Sequence, residues 1–287
     1  MKRKLDIAVI SDVHLGTHGC HAKELLNYLK NIKPDILILN GDIVDMWQFK
    51  KSYFPKEHTK VLNRILKMSL SGTKIYYITG NHDDTLRKFS DLSIGEIYLR
   101  DSLSLQIGGK RHWFFHGDVF DTSVIRLRWL AKLGGKSYDL LVRLNKTVNF
   151  IRGFLGLEKI AFSKIIKMRV KEAVKFINDF ENQAIEAGRS KGYDVVICGH
   201  VHTPQQRTDP KDSLGKGSVL YLNSGDWVEN LTALEYNFGE WTMYHYNELD
   251  YELSNPKLDV VLADADLEED MRILNPQMAF VTQFFKE

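Results

Sequence analysis

The sequence predicts an α/β protein of mixed sheets with helices outside and a helical insertion between two core strands. Three observations predict it. Short β-branched or aromatic apolar runs recur along the chain, each closed by Gly, Asn, Asp or Ser, as buried strands are. The first three runs are separated by segments with helical spacing, so the chain opens β-α-β-α-β, the pattern of crossover connections. Residues 121–189 hold apolar positions at helical intervals and no convincing strand.

The strands are expected at 5–10, 35–39, 74–79, 111–115, 194–198 and 219–222, and the first two helices at 21–31 and 57–70. Runs at 219–222, 231–236 and 241–246 follow one another with short polar breaks, which predicts antiparallel neighbours. In the insertion, Ile125, Leu127, Trp129, Leu130 and Leu133, then Leu140, Leu141, Leu144 and Val148, keep helical spacing. From residue 255 the chain becomes acidic and ends Phe280-Val281-Thr282-Gln283-Phe284-Phe285.

With 287 residues, 44% hydrophobic and 26% charged, the chain can bury a full core and is neither disordered nor fibrous. Six prolines without a Ser/Pro-rich stretch mark no linker, so 1–287 is expected to be one domain with the insertion at about 121–189 and a tail at about 255–287. The apolar run after Met1-Lys2-Arg3-Lys4 is broken by Asp6 and Asp12, too short for a signal peptide or a membrane span, which predicts a cytoplasmic protein. Cys20 and Cys198 are too few for a disulfide framework or a thiolate zinc site. Net charge is +2, yet residues 122–178 carry thirteen Lys/Arg against three Asp/Glu, a local +10. That imbalance calls for an anionic partner: nucleic acid, a membrane surface or a phosphorylated substrate.

Ser11-Asp12-Val13-His14, Asn40-Gly41-Asp42, Gly80-Asn81-His82-Asp83, His116-Gly117-Asp118 and Gly199-His200-Val201-His202 each follow a predicted strand. Ligands of α/β proteins bind at the carboxyl ends of strands, so the five motifs should converge. The pairs Asp12/His14 and His200/His202 put both side chains on one side of an extended backbone. The donors are then Asp12, His14, Asp42, Asn81, His116, His200 and His202, all oxygen or imidazole. A shared carboxylate such as Asp42 lets seven side chains serve two ions, the usual clamp for phosphoryl displacement. Mixed imidazole and carboxylate ligation suits Mn, Fe, Zn or Co better than Mg or Ca, and Mn is placed first.

The ordered set D-x-H, G-D, G-N-H-D, H-G-D and G-H-x-H resembles the calcineurin-like metallophosphoesterase family. The resemblance implies a two-sheet β-sandwich flanked by helices, a binuclear centre, and hydrolysis of a phosphoester or pyrophosphate. By position, Asp12, His14, Asp42 and His202 would hold one metal, and Asp42, Asn81, His116 and His200 the other. His82 matches the family's non-ligand histidine, which contacts phosphoryl oxygens or assists the leaving group.

More loosely the chain resembles the UDP-2,3-diacylglucosamine pyrophosphohydrolase branch, enzymes of lipid A synthesis. The residues are Ile10-Ser11-Asp12-Val13-His14-Leu15-Gly16, Trp47 after Gly41-Asp42-Ile43-Val44-Asp45-Met46, the insertion, and Leu222-Asn223-Ser224-Gly225-Asp226-Trp227. That branch often has Arg where this chain has His82.

Asp45, Asp83, Asp118 and Asp121 are set aside as acceptors that orient imidazoles or bind substrate. His18, His21, His58, His112 and His245 have no motif context, Cys198 reads as a small core residue, and 223–226 is also a plain turn sequence. The cations of the insertion are either a solvated face or, with Phe150, Phe154, Leu155 and Leu157, a lid over acyl chains and phosphates at an anionic membrane surface. Nucleic acid is disfavoured for want of an aromatic stacking platform. The chain is thus expected to cleave a UDP-linked acylated sugar to a lipid monosaccharide 1-phosphate and UMP. The alternatives are a phosphodiesterase or phosphatase acting on a nucleotide or another lipid headgroup, and a non-catalytic scaffold.

Overall fold

Alternate residues of the apolar runs are buried on opposite faces, and this periodicity builds two stacked sheets. The structure, a computed structural model, describes residues 2–47, 53–120, 162–210 and 217–249. The chain divides into two compact units, Met1–His245 and Tyr246–Glu287, and the elements below belong to the first.

In order, the first half runs β1 (Arg3–Ile10), α1 (Ala22–Asn31), β2 (Ile32–Asn40), α2 (Lys56–Leu70), β3 (Lys74–Ile78), β4 (Ser93–Ile94), β5 (Ile97–Arg100), β6 (Ser102–Ile107) and β7 (Lys110–Phe115). The second half runs α3 (Phe162–Ser190), β8 (Val195–Cys198), β9 (Gln205–Asp209), β10 (Val219–Asn223), β11 (Thr232–Asn237) and β12 (Glu240–His245). One sheet has the order β12-β11-β1-β2-β3-β5-β4, the other β6-β7-β8-β10-β9. β1, β2, β3 and β5 are parallel, as are β7, β8 and β10, while the strands at the sheet edges are antiparallel.

The core lies between the sheets: Ile7, Val9, Ile38, Ile78, Leu234 and Trp241 from the first meet Phe114, Val195, Ile197 and Leu222 from the second. Each such side chain contributes about 1.5–3 kcal/mol when fully buried. The alternate residues of the second sheet, Trp113, Phe115, Val196, Cys198, Val219 and Tyr221, pack on Phe180, Ala184 and Ile185 of α3. On the first sheet Ala8, Ile10, Leu37 and Leu39 are buried too. Helices α1 and α2, with Leu25, Leu29, Val61, Ile65 and Met68 buried, supply the crossovers.

The run at 219–222 does not pair antiparallel with 231–236; its antiparallel neighbour is β9. β10 pairs parallel with β8, in the other sheet from β11. The turn through Asn223, Ser224, Gly225 (φ 72°) and Asp226 carries the chain across the sandwich, closed by the Thr232 hydroxyl donating to the Ser224 carbonyl at 2.8 Å. The β11–β12 hairpin does form. Strands β4, β5, β6 and β9 lie outside the expected set. β6 and β9 are edge strands whose outward residues, Ser102, Ser104, Gln106, Gln206 and Thr208, are exposed and polar, so no continuous apolar run announces them. Of the insertion, 162–190 forms α3, whereas 121–161 and the tail at 255–287 lie outside the described residues.

Candidate metal centre

The carboxyl ends of the parallel strands of both sheets gather at one edge of the sandwich. Asp12 and His14 follow β1, Asp42 follows β2, Asn81 and His82 follow β3, His116 follows β7, and His200 and His202 follow β8. The sheets are stitched together here. His116 Nδ1 lies 3.0 Å from the Asn40 carbonyl, the Asn40 amide donates to the Phe115 carbonyl at 3.2 Å, and the His200 backbone N–H donates to Asp12 Oδ2 at 2.9 Å.

Three groups result among the described residues, Asp12 with His14 and His202, Asp42 with His116 and His200, and His14 again with Asp45 and His82. Within each, one ligand atom per residue lies within 4.8 Å of the others. Asp12 Oδ1 is 3.0 Å from His202 Nε2, which is 3.3 Å from His14 Nε2. His116 Nε2 is 3.3 Å from His200 Nδ1. Asp42 Oδ2 stands 3.2 Å from His116 Nε2 and 3.9 Å from His14 Nε2, so a single oxygen faces the first two groups. Its other oxygen accepts the His82 backbone N–H at 2.8 Å.

Donors packed this closely suit cations rather than one another. Both amide atoms of Asn81 are buried and make no hydrogen bond among the described residues, and Asp12 Oδ1 and Asp42 Oδ2, also buried, meet imidazole nitrogens without a well-aligned one. Unsatisfied buried polar atoms are costly, about 1–3 kcal/mol each, unless an ion or water completes them. Eight described non-glycine residues have positive φ, and five are Asp12 (52°), His14 (54°), Asp42 (55°), His200 (69°) and His202 (52°). Such backbone costs about 1–3 kcal/mol per residue and persists where surrounding structure imposes it. Two glycines permit the close approach. A Cβ on Gly80 would lie 2.2 Å from Asp42 Oδ1, and one on Gly41, already at φ +87°, 2.3 Å from His116 Nδ1.

Burial alone would raise the Asp12 and Asp42 carboxyls, yet both are held well below the carboxylate range, Asp12 chiefly by His202 and Asp42 by His116. Burial opposes charge on His116, but Asp42 and then Asp12 raise it to about 10. The carboxylates therefore stay ionised and demand positive charge, which His116 supplies in part and divalent cations would supply better. The donor set fits such ions.

His82 stands beside the first two groups. Its Nδ1 lies 2.9 Å from Asp45 Oδ2, which also faces His14 Nδ1 at 3.3 Å. The half-exposed Trp47 ring lies over it, centroids 4.7 Å apart. Asp83 accepts from the Gly80 and Ile43 backbone N–H groups and from the Tyr77 hydroxyl, tying the loop after β3 to that after β2. Asp118 is paired with Arg87 at 2.6 Å, while Asp121 lies outside the described residues. Asp226, buried, accepts the backbone N–H groups of Val228, Glu229 and Asn230, and the Asn230 amide donates to the His202 carbonyl at 2.8 Å. His58 was missed by motif reading: its Nδ1 accepts the Gly16 N–H at 2.9 Å and braces the loop that carries His14. Sequence spacing held no signal for it.

The family model described as Calcineurin-like phosphoesterase matches residues 5–204, a stretch containing all eight residues from Asp12 to His202. A relative in Photorhabdus laumondii called UDP-2,3-diacylglucosamine hydrolase is 27% identical over 207 residues, 68% of this chain and 81% of its own. One of the same name in Aliivibrio fischeri is 23% identical over 236 residues, 81% of this chain and 95% of its own. Among solved structures, an archaeal phosphodiesterase is similar at 16% identity and a TM-score of 0.40, over 83% of this chain and 98% of that one.

Proposed function

The chain belongs to the calcineurin-like phosphoesterase family, and from that premise we propose that it hydrolyses the pyrophosphate of UDP-2,3-diacylglucosamine at a centre of two divalent metal ions bridged by Asp42. It is a metal-dependent phosphohydrolase. The observation that carries the binuclear reading is Asp42 Oδ2, one oxygen facing both the His14 and the His116 groups.

Asp12, His14, Asp42 and His202 would hold one ion, and Asp42, Asn81, His116 and His200 the other. Ions there supply charge that neutralises phosphoryl oxygens and lowers the pKa of water. Imidazole mixed with carboxylate favours Mn, with Fe, Zn or Co as alternatives. The chain's own residues do the rest. With its Nδ1 2.9 Å from Asp45 Oδ2, His82 would turn Nε2 to a phosphoryl or leaving oxygen, and Asp45 would favour that tautomer. In the net reaction the P–O–P bond breaks, hydroxyl from water joins one phosphorus, and its proton ends on the other phosphate.

The names of the 23–27% identical relatives support the UDP-linked acylated sugar. The +10 charge of 122–178 supports recognition of its phosphates, and the apolar residues within it support an acyl cover and contact with an anionic membrane. Among the described residues no helix is long and apolar enough to cross a membrane. The test compares a diacylated UDP-sugar with its deacylated counterpart. A kcat/KM that depends on the acyl chains supports the reading. Equal rates would overturn it in favour of a phosphodiesterase acting on soluble nucleotides.

A further inference from the structure

At the opposite pole of the sandwich, where β1 and β2 begin, Lys2, Lys33 and Arg64 line a cavity of about 320 Å³ with Ile32, Met68, Ser71 and Thr73. β1 spans eight residues from this pole to the metal centre, roughly 25 Å at the rise of a strand. The volume lies at the lower end of small-molecule pockets, about 300–1,000 Å³.

Among the described residues no acidic side chain lines this cavity. Ile32 and Met68 are buried and give it apolar walls. The two hydroxyls donate elsewhere, Ser71 to the Lys67 carbonyl and Thr73 to the Pro34 carbonyl, so the side-chain donors left for a ligand are the three cations. Arg64 is anchored, its Nε and Nη2 donating to the Leu29 carbonyl at 3.0 and 2.9 Å. That contact caps the end of α1 and accounts for one cation. It does not account for Lys2 and Lys33, which make no ion pair among the described residues, although the neighbouring Lys4 pairs with Asp35. The three charges are close enough to oppose one another: burial first, then Arg64 and Lys33, lower the pKa of the Lys2 ammonium. Converging cations without a counter-charge, beside an apolar wall, suit a compact dianion attached to an apolar body.

We propose that this cavity binds the phosphate group of a phosphomonoester, at a site separate from the metal centre. Two sources share that chemistry, a soluble organic phosphate and a phospholipid headgroup.

The probe is phenylphosphonate, which resists hydrolysis, titrated calorimetrically into the metal-loaded full chain. The parent should bind two equivalents, one at the metals, seen as competitive inhibition of turnover, and one at the cavity. In Lys2→Gln/Lys33→Gln the second equivalent should weaken by about fivefold or more, a modest loss because both lysines are exposed. Inhibition at the metals should stay unchanged, and Lys2→Arg/Lys33→Arg should bind as the parent does. A second arm measures co-sedimentation with phosphatidic acid vesicles. Vesicle binding lost in the glutamine variant, with no second phosphonate equivalent in the parent, identifies a lipid headgroup as the source. Identical isotherms and identical vesicle binding in parent and glutamine variant overturn the proposal.

Discussion

Asp45 Oδ2 lies 2.9 Å from His82 Nδ1, and the Met46 backbone N–H donates to the His82 carbonyl at 3.0 Å, so the loop after β2 grips this histidine by ring and backbone. The same carboxylate reaches His14 Nδ1 at 3.3 Å. One carboxylate thus faces Nδ1 of two imidazoles, an arrangement that favours the tautomers with Nε2 left for other work.

If Asp45 acts through His82, Asp45→Asn should lower kcat by about ten- to a hundredfold, and His82→Ala by about two to four orders of magnitude. The informative measurement is the double variant. Residues acting as a unit are non-additive, so Asp45→Asn/His82→Ala should lose less than the product of the two single losses, the unshared part being the Asp45 contact to His14. Multiplied losses would separate the two roles. Metal content should survive His82→Ala, and His82→Arg should keep part of the activity.

Gly80 carries no side chain because Asp42 occupies the place of one. In Gly80→Ala the new Cβ would meet Asp42 Oδ1 at 2.2 Å, and the backbone N–H of Asp42 blocks retreat at 2.6 Å. Something must shift, and the expected outcome is loss of metal together with turnover while the sandwich stays folded. Elemental analysis beside a circular dichroism melt checks it. An alanine variant with full metal content would show that Asp42 has room to move.

His58 makes a prediction about pH. Burial lowers its pKa below the ordinary 6.5 despite the nearby Glu57, and its Nδ1 acts as an acceptor for the Gly16 N–H, which requires the neutral ring. Below 6.5 the unfolded chain takes up this proton before the folded one does. The stability it lends is therefore complete above that pH and lost as pH falls towards the lowered folded value. His58→Asn, whose Oδ1 can replace Nδ1 without titrating, should flatten the fall in thermal stability between about pH 7 and pH 5. An unchanged fall would place the acid-sensitive group elsewhere.

What was legible in the sequence was whatever local pattern dictates. Continuous runs such as Val195-Val196-Ile197-Cys198 announce strands buried on both faces, and the donors that follow such strands converge because parallel strands end at one edge. Asp12 and His202 are distant in sequence yet lie 3.0 Å apart. Hidden features depend on partners. β6 shows its polar face to solvent, β10 changes sheet through a turn, and His58 is defined by a backbone N–H two residues past His14. No spacing rule specifies such a contact.

If two metal ions share Asp42, metal stoichiometry in the parent and in Asp42→Ala will show it. The parent chain should hold about two divalent ions, and the variant should lose at least one of them together with turnover of a generic phosphodiester. Full metal content with undiminished turnover in Asp42→Ala would contradict it.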